Sequence, residues 1–326
     1  IMKNINKVNK INEILEECRK IAGKKLSKEK IEKIENTDNF IIAMKKEENN
    51  SFEIFYNMLE ETYSKQLFRK IVRYRYLLSF NRDAYTNIKE KIKLSIKYGS
   101  INIFSWGIKR VLFILQKYKY PKEIENFLLF YIFSLEQYNI KNIFEASDDS
   151  IIFDVGAWKG DTTYFFSKKC NDNAKIYAFE PDNNAYKTLK LMKDKYKLNN
   201  VILNNILFSN KKEIIDFVSM TPNTPIVKME AVTIDEFAEI NNIERIDYLK
   251  MDVEGAEMHI LEGASKTIKK FKPSLAVAIY HGGELFMEDF YKVPIFIKEI
   301  TENYNYYIRT FSPWGGETVL FCIPKK

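Results

Sequence analysis

One stretch constrains this chain more than any other. It runs from Ile151 to Pro181 and reads IIFDVGAWKGDTTYFFSKKCNDNAKIYAFEP. An apolar run leads to Asp154, and a short loop, Gly156-Ala157-Trp158-Lys159-Gly160, follows it. Asp161, Thr162 and Thr163 open an amphipathic segment. A second apolar run, Ile176-Tyr177-Ala178-Phe179, ends in an acid, Glu180. The order is strand, glycine loop, helix, strand, acid, which is the start of a parallel βαβ unit.

That order suits a ligand. A glycine after the first strand lets the backbone turn sharply and approach a bound molecule. The next helix offers unpaired N–H groups at its start. Glu180 lies 24 residues after Gly156, close to the roughly 20 of a nucleotide-binding unit, and can accept both hydroxyls of a ribose. Trp158 and Lys159 stand where G-x-G-x-x-G needs its second glycine, which argues against a pyrophosphate-bearing dinucleotide. A nucleoside without phosphates, such as S-adenosylmethionine, remains. The competing reading is an ordinary tight turn in a parallel sheet.

Length and charge divide the chain. Its 326 residues are enough for about two domains. Residues 1–150 hold 28 Lys+Arg against 20 Asp+Glu, so the net charge of +7 belongs to that part. A solvated lysine-rich surface is the default reading and a patch for an anionic partner the alternative. The three cysteines have no disulfide or zinc spacing, and no apolar run is long enough to span a bilayer. A cytoplasmic setting without a membrane span is the expectation.

Apolar spacing predicts short helices, partly mobile, over 1–50, with Ser51 as a cap for the next. It predicts helix throughout 52–98, a strand or turn at Ser100–Phe104, and a helix over Gly107–Tyr118. A further helix over Lys122–Gln137 would start at Pro121. Lysines and arginines accompany the aromatics of 52–98, but no nucleic-acid motif supports such a partner. The polar loop Glu145–Ser150 is the expected domain boundary. The division is a helical segment 1–50, a helical domain 51–149 and an α/β domain 150–326, a Rossmann-like sheet of about seven strands. In the last, strands are expected at 151–154, 176–180, 201–205, 247–251 and 274–279, with extended pieces at 214–218 and 228–232. Helices are expected at 183–195, 235–240 (capped by Thr233), 255–271 and 294–303, before a hairpin of 306–311 and 318–323.

Ligands of open α/β sheets bind beyond the carboxyl ends of the strands. The polar residues there are Asp154 and Gly156, Glu180, Asn204 and Asn205, Asp252 and Glu254, and Tyr280 and His281. Asp252 would hold an ammonium or position an acceptor. Glu254 would either do chemistry or cap a helix. His281, beside Gly282 and Gly283, is the candidate general base, whereas His259 is read as structural. Carboxylates near a histidine can also bind a divalent metal, but no metal ligand is assigned.

Several segments together resemble one family. They are Phe153-Asp154-Val155-Gly156-Ala157, Phe179-Glu180-Pro181, Val232-Thr233-Ile234-Asp235, Lys250 to Glu257, Tyr280-His281 and Glu317-Thr318-Val319. In this order they resemble the FkbM-type methyltransferases, class I enzymes that use S-adenosylmethionine to methylate hydroxyls, often on sugars or polyketides. Residues Glu53–Asn87 resemble the helical extension of some bacterial members. The resemblance implies a cofactor loop of Asp154, Gly156, Ala157 and Gly160 with Thr162 beside it, and a ribose site at Glu180 and Pro181 flanked by Asn205. It places Asp252 and Glu254 near the methionine end and the acceptor. S-adenosylhomocysteine would be the product, a glycan or small molecule the acceptor, and a homodimer contact stays open. Trp158-Lys159 departs from the family pattern. The rival readings are a nicotinamide-dependent oxidoreductase, a non-enzymatic cofactor-binding or interaction module, and a nucleic-acid methyltransferase, which lacks its N/D-P-P-Y/F tetrapeptide here.

Overall fold

The computed structural model describes residues 9–46, 50–81, 87–281 and 288–325. Gly282 and Gly283 lie outside the described residues. Strands β1 (Ile151–Val155), β2 (Lys175–Phe179), β3 (Val201–Asn204), β7 (Tyr248–Met251), β8 (Ser274–Ala278), β9 (Tyr304–Thr310) and β10 (Thr318–Pro324) form one sheet. Its order is β3-β2-β1-β7-β8-β10-β9. The first five strands in that order run parallel, and β10 is antiparallel to both neighbours. The order reverses between β1 and β7, the place where open α/β sheets bind ligands at the carboxyl ends of their strands. The two extended pieces of the sequence reading, β5 (Glu213–Phe217) and β6 (Val227–Val232), join β4 (Leu207–Phe208), which it did not foresee, in a separate small sheet.

Strand side chains alternate between faces, and each face has its own core. Phe153, Phe179, Leu249 and Val277 pack on one side, together with Phe55, Phe68 and Ile71 of the N-terminal helices. Ile152, Ile176, Ala178 and Ala276 pack on the other, with Phe130, Phe144, Phe166 and Leu189. Residues before and after position 150 therefore share both cores.

The N-terminal helices are α1 (Lys10–Ala22), α2 (Lys28–Glu35), α3 (Asn39–Lys45), α4 (Ser51–Met58) and α5 (Thr62–Ser79). Helix α5 covers the edge strand β9. Ser64 Oγ accepts from the Ile308 N–H at 3.1 Å, and the Glu60 N–H donates to the Tyr306 carbonyl at 3.0 Å. An otherwise bare edge is thereby closed.

Several expected elements differ. The helix expected over 52–98 is broken after Met58 and again between Ser79 and α6 (Ile88–Tyr98). Ser51 is the first residue of α4 and not its cap. Ser100–Phe104 is no strand: α7 (Ile103–Gln116) starts there because Asn102 Oδ1 accepts from the N–H groups of Phe104 and Ser105, both at 3.0 Å. Lys122–Gln137 shrinks to α8 (Asn126–Leu129) and a π turn, Phe130–Ser134. After β1 come α9 (Asp161–Lys169), α10 (Asn183–Tyr196) and α11 (Ile234–Ile240), the last capped by Thr233 as expected. The helix expected over 255–271 splits into α12 (Glu257–Glu262) and α13 (Ser265–Phe271). The break falls at Gly263, where a Cβ would lie 2.2 Å from the Ser209 carbonyl. Helix α14 (Asp289–Ile300) begins before Pro294, which lies inside it.

Candidate active site

The ends of β1 and β2 form one half of the site. Asp154 is fully buried and its carboxylate is saturated. Thr162 Oγ1 donates to both of its oxygens, at 2.9 and 2.8 Å, and Thr163 Oγ1 donates at 2.6 Å. Lys250 Nζ lies 3.3 Å away and also donates to the Gly156 carbonyl at 2.5 Å. Burial opposes the Lys250 charge, but Asp154, Asp252 and Asp161 together hold its pKa above the ordinary value. Asp161, the first residue of α9, is pushed up to about 7 by burial. Thr162 thus serves Asp154, and the lysine ties both to the loop.

The loop is tied to its neighbours as well. Gly156 and Ala157 donate their N–H groups to the Phe179 carbonyl at 3.1 and 3.0 Å. A Cβ on Gly156, whose φ is +79°, would lie 1.9 Å from the Asp252 carbonyl oxygen. The close approach that this glycine permits is to the β7 loop. Gly160, at φ +97°, gives the same room to Leu189 of α10. Trp158 takes a left-handed conformation at φ 45° and donates its N–H to Glu180 Oε2 at 2.8 Å. Lys159 pairs with Glu125.

Glu180 is buried just past β2. Its other oxygen accepts from the Asp182 N–H at 2.8 Å. Burial pushes its carboxyl up to about 7, against the pull of those two N–H groups. Asn205 spends its side-chain amide on the carbonyls of Glu180 (2.8 Å) and Pro181 (3.2 Å) and so fixes the backbone there.

The other half stands at the ends of β7 and β8. Asp252 Oδ2 accepts from Tyr138 Oη at 2.6 Å and from Tyr280 Oη at 3.5 Å. Its Oδ1 is buried without a partner among the described residues. His281 is 5% exposed, and its Nδ1–H donates to Glu257 Oε1 at 2.8 Å. Glu257 also accepts from the N–H groups of Val253 (3.0 Å) and Gly255 (2.9 Å). His281 Nε2 is likewise buried and unpartnered among the described residues, 3.4 Å from Glu254 Oε2 and 3.8 Å from Asp252 Oδ1. Burial alone would lower the His281 pKa. The bond to Glu257 and the charges of Asp252, Glu257 and Glu254 outweigh it and raise the value to about 9.

Asp252, Glu254 and His281 thus come together, with ligand atoms all within 4.8 Å of one another, a spacing that suits one metal ion. Glu254 is exposed, at φ 56° and outside any helix, so the expected helix-start role passes to Glu257. His259 is exposed on α12. Sequence reasoning missed Tyr138 and Lys250 as parts of the site, and it read Glu257 as a further carboxylate of the cluster and not as the partner of His281. It also missed the pairing of Glu317 with Gln137, at 2.8 Å. Burial, then the charge of Asp252, pushes Glu317 up to about 7. Lys250 and Glu257 lay within the densest motif, and Tyr138 carried no signal.

Residues 154–307 match the Methyltransferase FkbM domain. No curated protein matches the chain. Among solved structures, it is similar to the methyltransferase FkbM of Methylobacillus flagellatus, with a TM-score of 0.59 and 15% identity over 88% of this chain and 62% of that one. The chain thus spans about three fifths of that protein's length. Weaker likenesses include the fibrillarin of Aeropyrum pernix with bound S-adenosyl-L-methionine (TM-score 0.39, 14% identity, 58% and 74% covered). Another is a putative rRNA methylase of Clostridium thermocellum (0.38, 15%, 55% and 87%). The fold is the Rossmann-like sheet of class I methyltransferases, and residues 154–307 carry the match to the FkbM methyltransferase domain.

Proposed function

We propose that this protein is an S-adenosylmethionine-dependent O-methyltransferase acting on a hydroxyl of a sugar, glycan or related small molecule. One observation carries the reading. At the switch point of the sheet two buried polar atoms, Asp252 Oδ1 and His281 Nε2, lack hydrogen-bond partners among the described residues and have only ion-pair contacts at 3.4–3.8 Å. They adjoin a loop that reaches Glu180 by direct contacts, since Gly156 abuts the Asp252 carbonyl and Trp158 donates to Glu180. Buried polar atoms without partners are rare in folded proteins and call for a ligand or a reaction.

The residues fit the cofactor. Glu180 has one N–H on each oxygen and keeps lone pairs for the two hydroxyls of a ribose. The carboxylates of Asp252 and Glu254 suit positive charge. When bound, S-adenosylmethionine supplies an electrophilic methyl group. Asp252, fixed by Tyr138, would position the acceptor. His281, oriented by Glu257, would take the proton that the hydroxyl sheds. Trp158-Lys159 and the N-terminal helices would shape the surroundings. Trp158, in place of the second glycine of G-x-G-x-x-G, stands against the nicotinamide reading.

Calorimetry of the full chain tests this. S-adenosylmethionine should bind, and Glu180→Ala should weaken binding by about tenfold or more, as loss of charged hydrogen bonds does. Equal affinity in the variant would remove Glu180 from the ribose site. Methyl transfer is then assayed against a pool of glycans.

The same cluster supports a second reading. Asp252, Glu254 and His281 could share a divalent cation, with Glu257 orienting the histidine from behind. A bound cation would acidify an acceptor hydroxyl. Full turnover after chelation favours the base. Loss that Mg²⁺ restores favours the cation.

A further inference from the structure

Helix α7 is apolar on two opposite sides. Its inner side packs Trp106 and Phe113 on Phe130, at ring-centroid distances of 5.4 and 5.8 Å. Its outer side carries Phe104, Ile108, Val111, Leu112 and Leu115, each more than half exposed. These recur at the spacing of one helical face. Helix α6 repeats the pattern with Ile88, Ile92 and Ile96, all exposed. A water-facing side of a helix is normally polar, and a contiguous exposed apolar stripe marks an interaction surface.

Charge identifies the partner. Residues 88–119 hold eight lysines and arginines and one acid, Glu90. Their net charge of +7 equals that of the whole chain, and no acid occurs from Lys91 to Lys122. Lys89, Lys93, Lys97, Lys109, Lys117 and Lys119 are exposed. A second copy of this face would set like charge against like charge. A nucleic acid would match the charge but not a stripe that is mostly aliphatic, since bases stack on aromatic rings. An anionic lipid surface matches both, because acyl chains take the stripe and headgroups take the lysines.

We propose that α6 and α7 form a docking face for an anionic lipid surface, with α7 lying in the plane of the interface. No helix among the described residues is long and apolar enough to cross a membrane, so the contact is peripheral. The inference does not depend on the reaction assigned above.

Sedimentation of the full chain with vesicles tests it. One set is pure phosphatidylcholine and the other contains about 30 mol% phosphatidylglycerol. Binding to the anionic set should be at least about tenfold tighter and should fall in about 0.5 M salt. The double variant Leu112→Asp, Leu115→Asp should lose binding while keeping the wild-type circular dichroism and thermal midpoint. Lys109→Glu with Lys117→Glu, which leaves the stripe intact, should weaken it less. Absence of binding to anionic vesicles overturns the proposal, as does binding that survives in the double aspartate variant. So does a dimer seen by light scattering, or RNA retention, that the aspartates abolish while vesicles go unbound.

Discussion

Two acids, one buried and one half-buried, stand at neighbouring strand ends, and their surroundings are opposite. Asp154, at the end of β1, accepts from two threonines and pairs with a buried lysine. Asp252, just past β7, is held on one oxygen by Tyr138, and its other oxygen has no partner among the described residues. A saturated buried carboxylate has no capacity left for a ligand and is part of the architecture. One that keeps an idle lone pair beside an idle imidazole nitrogen is available for chemistry. Both acids belong to family-like motifs, so the motif alone does not tell them apart. The count of partners does.

The comparison breaks most visibly at Lys250. Lys250→Met would leave Asp154 buried without its cation. Removing one partner of a buried pair costs about 3–5 kcal/mol, measurable as a shift in the urea midpoint. A loss below about 1 kcal/mol would show that Asp154 does not depend on the lysine for its place.

Across the crevice the expected effect is on rate. His281→Gln should lower kcat by about 100-fold or more, as loss of a general base does, with stability and cofactor affinity little changed. The wild-type pH profile sharpens the same point. The imidazole keeps its proton up to about pH 9, and only the neutral ring accepts one, so kcat should rise with pH toward that value. The sign for stability is the reverse. A histidine whose folded pKa is raised contributes stability that is complete below the unfolded value and is lost as pH rises toward about 9. A kcat that is flat between pH 6.5 and pH 9 would exclude His281 as the base.

The half of the site around β1 and β2 was largely legible in the sequence, because strand, loop, helix and acid lie within a short local span. The sequence order even located Asp252 and His281 at adjacent strand ends. What it could not show were partners distant along the chain. Tyr138 reaches Asp252 across 114 residues, and nothing near Tyr138 marks it. Lys250 read as one more strand residue, and its burial beside Asp154 depends on the register of β1 against β7. Gly156 read as room for a ligand, whereas the Asp252 backbone occupies that room. The helix break at Gly263 was illegible for the same reason, since the obstacle is the Ser209 carbonyl on a distant loop. Periodicity did locate α7, but it could not show that one of its apolar faces points outward to solvent.

The finest test compares one hydrogen bond on each acid. Thr163 donates to Asp154 at 2.6 Å, and Tyr138 donates to Asp252 at 2.6 Å. Thr163→Val keeps the shape and removes the hydroxyl, leaving a buried charge short of one donor. It should cost about 1–2 kcal/mol of stability with kcat unchanged, because both Asp154 oxygens are already engaged by framework donors. Tyr138→Phe removes an equally short bond, but from a carboxylate whose role is to face the acceptor. Its larger effect should be on kcat, about three- to tenfold, while the midpoint of unfolding moves by about 1 kcal/mol or less. Thermal melts and steady-state rates on the same two preparations decide it. If both variants lose stability alike and neither changes rate, partner count does not separate framework from chemistry in this sheet, and Asp252 is as structural as Asp154.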